Sequence, residues 1–225
     1  MPRTIAIGDI HGCAVALDTV LAEIAPQPSD TIVALGDYVD RGPESSRVIE
    51  TLIDLVTHCR FVPLIGNHEL MMFKGMNNQK DFDFWFQYGG NTTLASYGNS
   101  LRNIPQHHLT FLSHCIRFFE TDTHFFVHAN YDSDEPLDEQ PDGLLFWEHI
   151  GDFAPPPHYS GKTAVVGHTP QVDGHIRDLG HVKIIDTFCY GDQWLTALDL
   201  TNNLIIQGNN NGDLRTSRLE EVAEE

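Results

Sequence analysis

Aspartate, histidine and asparagine gather in five short islands of this chain. They are Gly8-Asp9-Ile10-His11-Gly12, Gly36-Asp37-Tyr38-Val39-Asp40-Arg41-Gly42, Gly66-Asn67-His68-Glu69, Val127-His128-Ala129-Asn130 and Gly167-His168-Thr169. Each follows an apolar run that reads as a β-strand. Carboxylate, imidazole and carboxamide donors without thiolate suit hard or borderline dications such as manganese, iron or zinc. Side chains two apart at a strand end point the same way, so Asp9 and His11 are expected to reach one ion. Asp37, at the end of a neighbouring strand, is placed to bridge two ions, and Asn67, His128 and His168 complete the second. Two ions about 3.5–4 Å apart clamp a phosphoryl group and acidify a bridging water, whose hydroxide attacks phosphorus in line. His68, beside a ligand, is placed to protonate the leaving oxygen as general acid, with Asp40 orienting it. Arg41 offers a planar fork for phosphate oxygens. The chemistry implied is hydrolysis of a phosphate ester.

Taken singly the islands carry little. D-x-H-G is often only a turn, G-N-H-E often a helix start, D-x-x-D-R-G a surface ion-pair turn, and one histidine in G-H-T a structural side chain. Their conjunction, in order and each after a strand, points to metal. The other histidines (58, 107, 108, 114, 124, 149, 158, 175 and 181) read by default as structural.

The elements that must carry these islands alternate. Ile5–Gly8, Thr31–Leu35 and Phe61–Ile65 read as strands, and Cys13–Ala25 and Glu44–His58 as amphipathic helices between them. Such a βαβαβ rhythm predicts a sheet with helical crossovers and ligands outside the carboxyl ends of its strands. Residues 70–115 differ: Leu70–Met76, Asp81–Tyr88, Asn91–Tyr97 and Pro105–Cys115 read as helices of a small cap beside the site. The aromatic run Phe82, Phe84, Trp85, Phe86 and Tyr88 reads as the core of that cap rather than as a stacking platform. The second half is β-rich: Arg117–Glu120 and His124–His128 form a hairpin, followed by strands at Thr163–Val166, His181–Ile185, Leu195–Leu200 and Leu204–Gln207.

At 225 residues with 41% hydrophobic residues, one α/β domain spanning residues 1–225 is expected. Thirteen Lys and Arg against 32 Asp and Glu give a formal charge of −19. That excess disfavours nucleic acid and anionic membranes as partners, since both need cationic surface. The acids of Asp132, Asp134, Glu135, Asp138, Glu139 and Asp142 read as a solvated face, and Glu220, Glu221, Glu224 and Glu225 as a frayed tail. Cys13, Cys59, Cys115 and Cys189 are widely spaced with no C-x-x-C, so reduced thiols in a cytoplasmic protein are expected. Neither a signal peptide nor an apolar run able to span a bilayer is legible.

With these blocks in place, the chain resembles the phosphoprotein phosphatase branch of the calcineurin-like metallophosphoesterases. The matching blocks are G-D-x-H-G (8–12), G-D-x-V-D-R-G (36–42), G-N-H-E (66–69), H-A (128–129) and G-H-T (167–169). With H-A-N-Y (128–131) and I-D-T (185–187) they look most like small bacterial and phage-type members. The resemblance implies a two-sheet α/β sandwich flanked by helices, with the small helical cap, and a dinuclear site usually supported by manganese. In that pattern Asp9, His11 and Asp37 hold one metal and Asp37, Asn67, His128 and His168 the other. His68 with Asp40 forms the acid dyad, and Arg41 and Asn67 meet the phosphate. Two departures stand out. Trp147-Glu148-His149 puts His149 where a second phosphate-binding arginine is expected, and Phe188 replaces the usual glycine after I-D-T, with Tyr190 beyond it bordering the substrate.

The leading expectation is a dinuclear-metal phosphomonoesterase of the protein serine/threonine or dual-specificity phosphatase kind, its partner a phosphorylated protein or small phosphoester. The alternative is a symmetrical bis(5'-nucleosyl)-tetraphosphatase, and the remote one a non-catalytic scaffold of the same fold. The native metal and the oligomeric state are not legible.

Overall fold

The computed structural model describes residues 2–151 and 153–219, so the acidic tail at Glu220, Glu221, Glu224 and Glu225 lies outside the described residues. Its elements run β1 (Thr4–Ile7), α1 (Ala14–Ile24), β2 (Thr31–Ala34), α2 (Ser45–Leu55), β3 (Arg60–Pro63), α3 (Asn67–Gly75), α4 (Gln79–Trp85), α5 (Asn91–Ser96) and α6 (Gln106–Ser113). They continue with β4 (Phe118–Glu120), β5 (His124–Val127), α7 (Asp142–Trp147), β6 (Thr163–Val166), β7 (Arg177–Asp178), β8 (Val182–Ile184), β9 (Leu195–Asp199), β10 (Leu204–Gly208) and β11 (Leu214–Arg218).

The strands form two mixed sheets, one ordered β11-β10-β9-β1-β2-β3 and the other β4-β5-β6-β8-β7. β1, β2 and β3 are mutually parallel, as are β5, β6 and β8, so two sets of carboxyl ends lie at the same edge of the sandwich. The pleat explains the apolar runs. Ile5 and Ile7 of β1 face the helices, while Ala6 between them faces the second sheet. Phe126 of β5 enters the space between the sheets, with Phe125 and Val127 on the other face against Leu145 and Phe146 of α7. Strands buried on both faces must be apolar at every position, which is how these read.

The helical segment packs on the same core as α1 and α2: Trp85, Leu94 and Leu112 join Ile10, Leu17, Val48 and Leu52. The aromatic run is split rather than wholly internal. Trp85 is fully buried and Phe82 lies against it, but Phe84 is 47% and Tyr88 54% exposed. The cause is helical period: α4 presents only one face to the core, and regular helix breaks at Tyr88 and Gly89. Sequence reading missed α7, β7 and β11. β11 is an edge strand whose Arg215 and Arg218 interrupt any apolar run. The acids from Asp132 to Asp142 are exposed, and the four cysteines are free thiols. No helix among the described residues is long and apolar enough to cross a membrane.

Candidate active site

Six strand ends deliver six side chains to one edge. Asp9 follows β1, Asp37 β2, Asn67 β3, His128 β5, His168 β6 and Asp186 β8. All are buried except His168, which is partly buried. Delivery is by loop rather than by pleat. β1 ends at Ile7, and His11 sits in the left-handed region at φ 46°, so pleat alternation is not what brings it beside Asp9. Asp37 (φ 53°), Asp40 (φ 73°), Arg41 (φ 67°) and His168 (φ 59°) share that conformation. It is unfavourable for residues with a Cβ, and clusters of it mark functional sites.

Asp37 is the centre. Its Oδ2 lies 3.4 Å from His11 Nε2 and 4.0 Å from His68 Nε2, while its Oδ1 lies 3.5 Å from His128 Nε2. The two oxygens thus face two groups of donors, His11-Asp37-His68 and Asp37-His128-His168. Asn67 Oδ1 joins the second at 3.0 Å from His128 Nε2. Glycine makes room here: a Cβ on Gly66 would sit 2.1 Å from Asp37 Oδ1.

Carbonyl partners fix the imidazole tautomers. His11 Nδ1 is 2.9 Å from the Val39 carbonyl and His128 Nδ1 2.8 Å from that of Leu35, which leaves each Nε2 lone pair inward. His168 Nε2 lies 3.2 Å from the Trp147 carbonyl, which leaves its Nδ1 free. This is the outer-shell pattern of metal-binding histidines. Burial keeps these rings neutral, as ligands must be: it lowers His11 well below the usual imidazole range and His168 to about 3.

The carboxylates point the same way. Asp9 is pushed well up by burial and by Asp186 and Asp37, and Asp186 is raised to about 7 by burial and by the Asp37 charge. Three buried carboxyls that repel one another either take up protons or share a cation, and a cation is what the neighbouring imidazole lone pairs would also meet. The two buried groups that share Asp37, with Asp9 and Asn67 beside them, are consistent with a dinuclear metal site.

His68 Nδ1 lies 2.7 Å from Asp40 Oδ2. Asp40 is clamped in turn: Trp85 Nε1–H donates to both its oxygens (3.0 and 2.9 Å) and the Thr93 hydroxyl to Oδ1 at 2.7 Å. Burial would lower His68, but Asp37 and Asp40 outweigh it and raise the imidazole. Arg41 stands beside the cluster with its guanidinium 4.4 Å from the centroid of the Tyr190 ring, which also meets His11 edge-on at 4.8 Å. Gly89 (φ 114°) fits tightly against Arg41: a Cβ there would come within 2.9 Å of the Arg41 nitrogen. His149 is exposed and stacks on His168 at 4.4 Å.

These residues open into a cavity of about 320 Å³. Asp9, His11, Asp37, Asn67, His68 and His168 form its floor, and Arg41, Tyr190, His149, Phe84, Tyr88 and Trp147 its walls. Asp40 and His128 are fully buried and do not line it. Two buried acids had no role assigned from sequence. Asp186 was visible only as the middle of I-D-T. Glu69, last in G-N-H-E, accepts from the backbone amides of Gly66, Asp37, Tyr38 and Val39 and so holds the Asp37 loop in place.

Known proteins resemble this chain in sequence and in fold. A family model described as calcineurin-like phosphoesterase matches residues 2–202. Serine/threonine-protein phosphatase 2 of Salmonella typhimurium is 41% identical over 85 residues, covering 37% of each chain. A symmetrical bis(5'-nucleosyl)-tetraphosphatase of Acidovorax ebreus is 48% identical over 65 residues, 28% of this chain and 22% of that one. The matches thus span well under half the length of these relatives. The fold recurs in a cold-active protein-tyrosine phosphatase of a psychrophilic Shewanella, with a TM-score of 0.69 at 15% identity over 96% of this chain and 80% of that one. A match running from the first strand past β9, over buried His/Asp clusters consistent with a dinuclear metal site, makes the chain a member of the calcineurin-like phosphoesterases.

Proposed function

We propose that this protein is a metal-dependent phosphomonoesterase acting on phosphorylated serine or threonine side chains of proteins. The observation that carries the reading is the charge of the cavity. Among the described residues, its walls hold one permanently cationic side chain, Arg41. Beyond His149 its flank is acidic, bordered by Asp132 and Glu148, while the hollow under Phe84 and Trp147 holds Lys74 as well as Asp81. One guanidinium fits one phosphoryl group, whereas a tetraphosphate chain asks for several cations. The acidic flank beyond His149 favours a peptide with basic residues on that side of the phosphoresidue.

When bound, the two dications supply Lewis acidity toward the phosphoryl oxygens and lower the pKa of water. The protein's own groups do the rest. Arg41, braced on Tyr190, orients the phosphoryl group. His68, held by Asp40, delivers a proton to the departing serine or threonine oxygen. His149 occupies the place of a second phosphate-binding arginine and contributes charge only when protonated.

A second reading, dinucleoside polyphosphate hydrolysis, is favoured by the exposed Phe84 and Tyr88 rings on the cavity wall, which offer a surface for a base. One assay separates the two. Phosphothreonine peptide, p-nitrophenyl phosphate and diadenosine tetraphosphate are offered in parallel with Mn²⁺, with Asp37→Asn as blank. Preference for a peptide with basic flanks is expected. Release of ADP from the dinucleotide at a higher kcat/KM would replace the first reading by the second.

A further inference from the structure

Away from the catalytic cavity, three side chains from two helices meet at one point. Glu50 of α2 places one carboxylate oxygen, Oε2, 3.0 Å from His107 Nε2 and 2.6 Å from His108 Nε2 of α6. The two imidazoles, though adjacent in sequence, are nearly perpendicular, with centroids 4.4 Å apart, so both Nε2 atoms converge. None of the three lines the catalytic cavity.

The cluster is graded from inside to outside. The His108 side chain is 4% exposed, while those of His107 and Glu50 are 57% and 64% exposed. Behind His108, the buried Tyr97 hydroxyl lies 2.7 Å from its Nδ1. A phenol can donate or accept. When Tyr97 accepts from Nδ1–H, the Nε2 lone pair of His108 faces Glu50. An imidazole fixed through its far nitrogen by a neutral partner is the outer-shell arrangement that tunes metal-binding histidines.

We infer that Glu50, His107 and His108 form a second, independent cation site for a borderline dication of the zinc or cobalt class. Two imidazole nitrogens and one carboxylate oxygen, with a side open to solvent, are a common three-ligand set for such ions. Magnesium and calcium, which prefer all-oxygen shells, are disfavoured. Without an ion, the Nε2–H groups of His108 and His107 donate to Glu50 and hold its carboxyl below its ordinary range; an ion would take the place of those two protons. An ion here ties α2, which follows the Asp40-Arg41 loop, to α6 of the helical segment.

The test uses Co²⁺ alone with the full chain. Equilibrium dialysis and visible absorption are compared for the wild type, His107→Ala, Asp37→Asn and the double variant. His107 is exposed, so its removal leaves folding intact. The wild type is expected to bind one more Co²⁺ than His107→Ala, with p-nitrophenyl phosphate turnover unchanged between them. Asp37→Asn, lacking the bridging carboxylate, keeps one Co²⁺ whose visible band vanishes on adding His107→Ala. Glu50→Gln, which keeps the shape but not the charge, weakens this ion by at least ~10-fold. Equal Co²⁺ content with and without His107 would overturn the inference and leave only an ion pair between the helices. Because the readout is a difference of one ion, it is decided separately from whichever substrate the catalytic site takes.

Discussion

Glu69 accepts the backbone N–H of Asp37 at 2.9 Å, so the charge of one buried acid sets the position of another. The same carboxylate takes the amides of Gly66, Tyr38 and Val39. These hydrogen bonds hold the turn that puts Asp37 into the left-handed conformation from which its two oxygens face opposite donor groups. Burial and the nearby Asp37 charge raise the Glu69 carboxyl to about 7, against the opposing pull of those amides. Glu69→Gln replaces one accepting oxygen by a donor that meets N–H groups. A buried donor left unsatisfied costs about 1–3 kcal/mol. The variant is expected to unfold at a lower temperature and to bind Mn²⁺ more weakly, by calorimetry of the two proteins side by side. Unchanged Mn²⁺ affinity would mean that Asp37 holds its place without Glu69.

His68 and Asp40 are expected to separate chemistry from metal binding. His68→Ala should lower kcat by on the order of 10²–10⁴, the range for loss of a general acid, while two ions stay bound. Loss of metal in that variant would reassign His68 as a ligand, a result its 4.0 Å approach to Asp37 makes worth checking by elemental analysis.

Trp85 acts through Asp40. Its indole N–H reaches both carboxylate oxygens, and a hydrogen bond to a charged group is worth about 1.5–3 kcal/mol. Trp85→Phe keeps most of the buried ring and removes that bond. The expected outcome is a lower kcat with unchanged KM, and a smaller effect when Trp85→Phe is added to Asp40→Asn than to the wild type. Full additivity in that cycle would show that Trp85 acts by packing alone.

How far these roles were legible depends on where a residue's constraint lies. Thr4–Ile7 and Thr31–Ala34 are buried on both faces, so apolar runs betrayed them, and ligands at their ends followed. The conformation that presents the ligands was not legible. Positive φ at His11, Asp37 and His168 comes from tertiary contacts, and nothing in D-x-H announces it. Glu69 and Asp186 escaped because their partners are backbone amides and distant carboxyls. Trp85 and Phe84 looked alike as adjacent aromatics; only the direction in which α4 packs sends one under Asp40 and the other to the cavity wall.

That wall should govern affinity rather than turnover. Phe84 and Tyr88 pack on each other with centroids 4.5 Å apart and are about half exposed, so truncating either costs the fold little. Phe84→Ala and Tyr88→Ala are expected to raise KM for the preferred substrate with kcat nearly constant, the signature of lost uniform binding. Inorganic phosphate, small enough to meet Arg41 without these two rings, should inhibit both variants as it does the wild type. KM unchanged in both variants would remove the rings from the substrate's path.

The pH dependence of stability should carry the mark of a pair far from the site. The carboxyl of Asp30, buried just before β2, accepts from the Arg3 guanidinium at 2.5 and 3.2 Å and from the Gln27 amide at 2.9 Å. The hydrogen bond from Arg3, against the opposing cost of burial, lowers this carboxyl below its ordinary value of 3.8. The unfolded chain therefore binds the proton more readily than the folded one, and protonation favours unfolding. The stabilisation is present above about pH 4 and is lost as pH falls through the depressed folded value. Asp30→Asn should lower the melting temperature at pH 7 and flatten its decline below pH 4. Melting curves of both proteins in the same chelating buffer make the comparison, since contributions from the metal cluster cancel in the difference. Parallel declines below pH 4 would show that Asp30 titrates alike in both states and that the Arg3 contact contributes no pH-linked stability.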